Sequence, residues 1–281
     1  MLTYVDVNQT KWATDRYIEF PRAAAAMGDI DRDGVNEIVI AGKVRDPMQG
    51  HKTTNGALIV VKIDGKRQPG WEVAQLAGPP LYDDFLPTQA PALGDLDGDG
   101  NLEIVVSFFD GTIRAYRADG AALWSYDYAQ GNVLFASEAA LGDISGDGEV
   151  DVVFGSYNPN SNQAGEATRL YGLDRFGQLL AGFPLSMTDE NLDKKGVRAG
   201  PTLADLDGDC DVEILAASHS GTLYVWDLPA PYYPDRMPWP TSRHDNLRSG
   251  WFDGPPLFVS GCTPFAALTA QAYLPLLIHA K

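Results

Sequence analysis

The sequence predicts an all-β protein built as a β-propeller, and three observations predict it. An acidic loop motif recurs four times, each copy is flanked by short apolar segments of strand type, and the copies are spaced at the period of a propeller blade. The first copy is Asp29, Asp31, Asp33, Gly34 and Glu37, and the second Asp95, Asp97, Asp99, Gly100 and Glu103. The third reads Asp143, Ser145, Asp147, Gly148 and Asp151, and the fourth Asp205, Asp207, Asp209, Cys210 and Glu213. First Asp to first Asp, the steps are 66, 48 and 62 residues. Four short antiparallel strands per unit at that period describe a blade.

The elements of one unit follow in order. An opening strand precedes each loop, at Ala24 to Gly28, Ala90 to Gly94, Glu138 to Gly142 and Gly200 to Ala204. After each loop comes a run too short for a helix and rich in β-branched residues: Ile38-Val39-Ile40, Ile104-Val105-Val106, Val152-Val153-Phe154 and Ile214-Leu215-Ala216. Asp110-Gly111 and Ser220-Gly221 then signal hairpins, because glycine supplies the positive φ of the turn. Third strands follow at Thr112 to Tyr116 and Thr222 to Trp226, and Asp119-Gly120 leads into a fourth at Ala122 to Tyr126. Closing strands carry an aromatic at Trp71, Trp124 and Phe183. The extra length of the longer units is assigned to loops at Lys43 to Asn55, Ala77 to Thr88 and Tyr157 to Ala167.

The loops carry the chemistry. Side-chain oxygens at positions 1, 3, 5 and 9, with a backbone carbonyl at position 7 (Val35, Asn101, Glu149 and Asp211), suit a calcium ion, which takes six to eight oxygens. An EF-hand opens in the same way but completes its shell with Glu at position 12 and lies between helices. Position 12 is here Ile40, Val106, Phe154 or Ala216, none of which ligates through its side chain.

The run Gly94-Asp95-Leu96-Asp97-Gly98-Asp99-Gly100-Asn101-Leu102-Glu103-Ile104-Val105-Val106 resembles the FG-GAP/VCBS repeat, the calcium-loop blade also found in integrin α-subunit propellers. The resemblance covers roughly residues 20–228. It implies structural calcium at the loop joining the first two strands of each blade, and a recognition surface built from blade-face loops. Two copies depart from the pattern. Ser145 removes one negative charge from the third loop, and Cys210 stands where glycine normally supplies a positive φ, so the fourth loop is expected to be strained.

Composition narrows the partners. A formal charge of −17 over 281 residues lacks the basic footprint that nucleic acid or an anionic membrane requires. Fifteen of the 38 acids occupy ligand positions of the four loops, so four bound calcium ions would leave −9. At a Kd of about 10⁻⁴ M and millimolar calcium, each occupied site would stabilise the fold by roughly 1.4 kcal/mol.

Residues 21–228 are read as the propeller repeats, 229–254 as a Pro-rich closing segment and 255–281 as a C-terminal tail. Residues 1–20 are read as the closing strand of a preceding or last blade, with Tyr4 to Trp12 as the strand itself. The fourth repeat shows no closing strand after Asp227, where five prolines between Pro229 and Pro240 interrupt the pattern. Either the N-terminal strand completes the last blade, or further blades precede it; the small blade number favours the second. The segment Trp239-Pro240 through Arg243-His244-Asp245 and Gly250 resembles one that follows such repeats in secreted bacterial proteins, and Tyr273 to Ile278 resembles tails of bacterial surface proteins. A secreted or cell-surface location is expected, although Met1 to Asp6 opens no signal peptide. Phe265 to Ala280 is too short and too interrupted for a membrane span. Cys210 and Cys262 form no disulfide framework and are read as thiols.

A search for catalytic groups finds little. His51, His219, His244 and His279 are scattered; Ser242, His244 and Asp245 are too close in sequence to converge as a triad, and no nucleophile elbow, zinc spacing or P-loop occurs. The leading expectation is a non-catalytic binding or adhesion module for protein or glycan. Tyr82, Asp83, Asp84, Phe85, Tyr157, Asn158, Asn160 and Asn162 are its candidate contact residues. A lyase or hydrolase with its site at the central channel, and a structural spacer of a larger surface protein, are the alternatives.

Overall fold

A computed structural model describes residues 17–20, 24–81, 89–158, 168–187, 196–219, 221–245, 248–253 and 276–278. Blade 1 comprises β1 (Tyr17–Glu19), β2 (Ala26–Gly28), β3 (Glu37–Asp46), β4 (Lys52–Lys62) and β5 (Gln75–Leu76). Blade 2 holds β6 (Ala92–Gly94), β7 (Glu103–Ser107), β8 (Thr112–Tyr116) and β9 (Ala122–Asp127). In blade 3 the strands are β10 (Phe135–Ala136), β11 (Ala140–Gly142), β12 (Asp151–Tyr157), β13 (Arg169–Leu173) and β14 (Leu185–Ser186). Blade 4 is β15 (Thr202–Ala204), β16 (Asp211–Ala217), β17 (Leu223–Pro231) and β18 (Leu276–Ile278). Each blade is an antiparallel meander, and the inner strands β2, β6, β11 and β15 pack side by side in succession. The described residues are thus all-β and form four propeller blades, and no helix among them is long and apolar enough to cross a membrane.

Two hydrophobic clusters fill the spaces between blades. One runs through blades 1 to 3 and includes Leu58, Trp71, Leu93, Ile104, Leu141 and Phe154; the other joins blades 3 and 4 through Val153, Leu203, Ile214 and Trp226. The aromatics expected in closing strands serve this packing, although only Trp124 lies in one (β9) while Trp71 and Phe183 fall just before β5 and β14. Trp71 donates its indole N–H to the Ala118 carbonyl of blade 2 at 2.8 Å, and Trp124 donates to the Arg175 carbonyl of blade 3 at 2.9 Å. Ala118 and Arg175 occupy the same place in their blades, so one staple is used twice. Phe183 has no donor and packs instead over Gly172, where a Cβ would lie 3.0 Å from its ring.

Three features differ from expectation. Lys43 to Asn55, assigned to a loop, instead extends the β3–β4 hairpin, which turns through Pro47–Gln49 with Asp46 accepting from the Met48 amide. β1 pairs with this extension, and Val44 and Ile18 bury their side chains there in a small cluster of their own. Tyr4 to Trp12 lies outside the described residues. The closing strand of blade 4 is neither absent nor N-terminal: β18, from the C-terminal tail, pairs with β17 from Leu223 with Ile278 to Val225 with Leu276.

The third difference is the Pro-rich segment, which runs across the inner strands of the blades. An inner strand has one edge paired within its blade and one edge facing the axis, whose amides need acceptors. At the middle residue of three inner strands the segment provides them. Met27 donates to the Gly250 carbonyl (2.7 Å), Leu141 to Trp239 (2.8 Å) and Leu203 to Pro240 (2.8 Å). Proline suits this work because it lacks an N–H yet keeps its carbonyl. Glycines ending the inner strands make room. A Cβ on Gly142 would lie 2.3 Å from Met237 Sδ, and one on Gly28 would lie 3.0 Å from Phe252 Cβ. Pro238 lies over Gly94 of blade 2, so the segment touches all four blades. Trp239, 1% exposed, joins the main core cluster.

Replacing Trp239 with alanine removes the largest fully buried side chain of this axial segment and is expected to lower stability by about 3–5 kcal/mol. Chemical denaturation checks it; a loss near zero would mean that the segment lies on the blades without holding them.

Candidate metal centres

The four loops share one backbone course. Position 1 folds its carboxylate back over the turn: Asp29 accepts from Gly34 N at 2.9 Å, Asp95 from Gly98 and Gly100 at 2.8 and 3.1 Å, and Asp143 from Gly146 and Gly148 at 2.7 and 3.0 Å. Asp205 accepts from Gly208 at 2.8 Å. Position 5 accepts from the amide of position 7, Asp33 from Val35, Asp99 from Asn101, Asp147 from Glu149 and Asp209 from Asp211, all within 2.8–3.0 Å. Position 6 is left-handed throughout, with φ of +87°, +92° and +93° at Gly34, Gly100 and Gly148 and +75° at Cys210. The fourth loop therefore forms with a free cysteine in a glycine conformation, at a cost of roughly 1–2 kcal/mol.

Position 9 begins β3, β7 and β12, is the third residue of β16, and is buried in all four blades. Glu37, Glu103, Asp151 and Glu213 are between 0% and 3% exposed. One oxygen of each accepts from the position 2 amide: Ile30 at 3.1 Å, Leu96 at 2.8 Å, Ile144 at 3.0 Å, and Leu206. The other oxygen of each is buried without a hydrogen-bond partner, as are Asp29 Oδ1 and Asp97 Oδ1. Burial pushes all four position 9 acids up to about 7, against ordinary values of 4.5 for Glu and 3.8 for Asp. A desolvated carboxylate oxygen with nothing to bind is costly, and a cation at the loop centre removes that cost.

Carboxylate oxygens of Asp29, Asp31 and Asp33 lie within 4.8 Å of one another, as do those of Asp95, Asp97 and Asp99, and of Asp205, Asp207 and Glu213. The donor set is all oxygen, which suits a hard divalent ion such as calcium or magnesium. The third loop forms no such three-acid group, because Ser145 contributes a hydroxyl and Arg236 of the axial segment holds Asp143 Oδ2 at 3.0 Å. Among the position 7 residues, Glu149 turns its side chain to Arg175 at 2.9 Å, while that of Asp211 joins Asp209 and Asp227 within 4.8 Å. A cleft of about 240 Å³ between the first two loops is lined by Asp31, Gln68, Asp99, Glu103 and Arg117.

Several contributors were not read from the sequence. Lys62 contacts Asp33 and lies 3.6 Å from Glu37, Arg117 lies 3.1 Å from Asp97, and Asp253 accepts the Asp29 amide at 2.9 Å. Hairpin register was the missing signal for the first two, since Lys62 pairs across the strands with Glu37.

The other candidates fare differently. Tyr157 and Asn158, expected in an exposed loop, are 3% and 5% exposed, with Tyr157 packed on Phe135 and under Arg198. Tyr82, Asp83, Asp84, Phe85, Asn160, Asn162, His279 and Cys262 lie outside the described residues. His51 and His219 are exposed on separate turns. Ser242 gives its hydroxyl to Glu138 rather than to His244, and Asp245 accepts from Ser249 Oγ at 2.6 Å. His244 sits between Trp239 and Phe252, and burial lowers its pKa.

No family model matches the sequence, and no curated protein matches it. Among solved structures, the exotype rhamnogalacturonan lyase YesX is 18% identical over 82% of this chain and 48% of its own, with a TM-score of 0.46. A Bacillus licheniformis rhamnogalacturonan lyase is 16% identical over 80% and 48%, at 0.45, and BamB from Moraxella catarrhalis 13% over 76% and 63%, at 0.38. The chain spans about half the length of the lyases it matches. With scores this low, the architecture rests on the strand pairing described above.

The shifted acids have a consequence for metal-free protein. Their folded values exceed their unfolded ones, so between about pH 4 and pH 7 the folded chain binds more protons than the unfolded chain. Stability is then expected to fall as pH rises through that window. Melting temperatures in chelator at pH 5 and 7.5 check the sign, and added calcium should flatten the fall. Glu103→Gln, which removes one buried charge, is expected to raise the melting temperature in chelator and to weaken calcium binding. Opposite signs in the two measurements distinguish a metal ligand from an ordinary core residue.

Proposed function

We propose that this protein is a calcium-stabilised propeller of the FG-GAP/VCBS type, serving outside the cytosol as a binding or adhesion module for protein or glycan, with no catalysis of its own. The carrying observation is the free, buried oxygen at position 9 of every loop, repeated in four blades. Geometry of this kind, built at the same place in each unit, favours a structural ion over a single reactive centre. The non-catalytic reading draws support from the axial segment, which lies where the alternative lyase or hydrolase would need an open funnel of convergent groups. A location with millimolar calcium fits this reading, because calcium at that level would fill such loops even at the weak end of their range.

Calorimetric titration with calcium is expected to give heat of binding and a melting temperature raised by about 2–4 °C per occupied site. Absence of both would remove the reading. Glycan-array binding lost on chelation would assign the ligand class, whereas turnover of polyuronic acids would favour the lyase alternative instead.

A further inference from the structure

The four loops differ in the residue that faces position 9 across the second and third strands. In blade 1, Glu37 pairs with Lys62, and in blade 4, Glu213 pairs with Asp227. Continuing the pairing of Ile104 with Tyr116 sets Arg117 opposite Glu103, and continuing that of Val152 with Leu173 sets Asp174 opposite Asp151. The same place in the repeat thus holds a cation in blades 1 and 2 and an acid in blades 3 and 4.

Only Lys62 enters the ligand set deeply. Its Nζ contacts Asp33 and lies 3.6 Å from Glu37 Oε1 and 4.0 Å from Asp31 Oδ2, which are positions 5, 9 and 3 of the loop. Glu37 Oε1 is one of the buried oxygens that lack a hydrogen bond, so the ammonium is the positive charge that faces it. Arg117 reaches only position 3 of its loop, at 3.1 Å from Asp97 Oδ2, and is 41% exposed. Asp174 spends its Oδ1 on the amides of Phe176 and Gln178. Asp227 adds a further carboxylate beside Asp209 and Asp211, which makes the fourth loop the one with the most negative charge.

We propose that Lys62 is a tethered counter-ion that makes the first loop self-compensated, so that calcium must displace it, and that the residue at this cross-strand place ranks the loops by their need for metal. A divalent ion would require the same three oxygens at about 2.3–2.6 Å, and the ammonium and the ion cannot share them. Being part of the chain, the ammonium is present at every metal concentration. Loop 1 then closes without calcium and binds it weakly, whereas loop 4, with Asp227 in place of a lysine, depends on it most. The inference builds on the metal reading above, but its first test needs no metal.

In chelator, full-length Lys62→Met is expected to melt below the wild type and Lys62→Arg close to it. Calcium should restore the Met variant, and its isotherm should contain one site tightened by at least about tenfold. Equal melting of the Met variant and wild type in chelator would overturn the proposal, whatever calcium does. If neither protein takes up calcium while the Met variant still melts lower, the internal cation stands and the metal reading falls. Amine acylation of the wild type, read by mass spectrometry, needs no substitution. Lys62 should react more slowly than exposed Lys66 in chelator and faster once calcium is added. Equal rates for the two lysines in chelator would also overturn the proposal.

Discussion

The structure depends on a buried acid at position 9 of each loop, at or within two residues of the start of the strand that follows. Glu37, Glu103, Asp151 and Glu213 each join three things that would otherwise be independent: the loop turn, the strand that follows, and the face of the blade. One oxygen fixes the position 2 amide and so sets the direction in which that residue points. Ile30, Leu96 and Ile144 are thereby driven into the space between blades, where they are 0–4% exposed. Ile30 also receives the Leu102 amide of the next blade at 2.9 Å. Leu206 occupies the same place in blade 4 and is 53% exposed, because among the described residues no further blade packs against it. The charge chemistry of the loop and the packing of the blades are therefore consequences of one side chain.

The second constraint is the axis. Blades packed by their inner strands leave a row of amides on the axial edge, and the strap that satisfies them lies too close to leave room for side chains of ordinary size there. Glycine at the ends of β2, β6 and β11, with a Pro-rich strap across them, solves both problems together. The same strap reaches into two loops. Arg236 holds the carboxylate of Asp143, and Asp253 holds the amide of Asp29. In the third loop Ser145 leaves one carboxylate fewer, and that guanidinium supplies positive charge to one of those that remain.

Legibility in the sequence follows the range of the interaction involved. Opening strands, acidic loops and the hairpins at Asp110-Gly111 and Asp119-Gly120 were readable because their determinants are local and repeated. Lys43 to Asn55 was misread because Lys43, Arg45, Asp46 and Lys52 give it a loop-like polarity, whereas its strand character comes from pairing with β1 and burial of Val44. β18 and the axial strap were not readable, since a strand supplied from across the molecule leaves no periodic trace. Tyr157 and Asn158 looked exposed because aromatic and amide residues together suggest a loop; Tyr157 is the last residue of β12 and Asn158 follows it, both buried. Within the acidic loops, the clustering of the carboxylates was legible and their neighbours were not, because Lys62 and Arg117 arrive by register rather than by spacing.

Repetition of the loop with variation around it has a physical consequence. Four identical acidic loops would concentrate charge equally on every blade and leave all of them dependent on metal at once. Instead three of the loops are compensated, each from a different source: an ammonium across the hairpin in blade 1, a guanidinium at the rim in blade 2 and the axial strap in blade 3. Blade 4 has Asp227 where blade 1 has its lysine, and its turn adds the strain of Cys210. It is also the blade completed by β18 from the far end of the chain. The unit with the greatest electrostatic cost is therefore the one whose sheet closes last in sequence. Any ion bound there would offset that cost in the blade whose last strand comes from farthest along the chain.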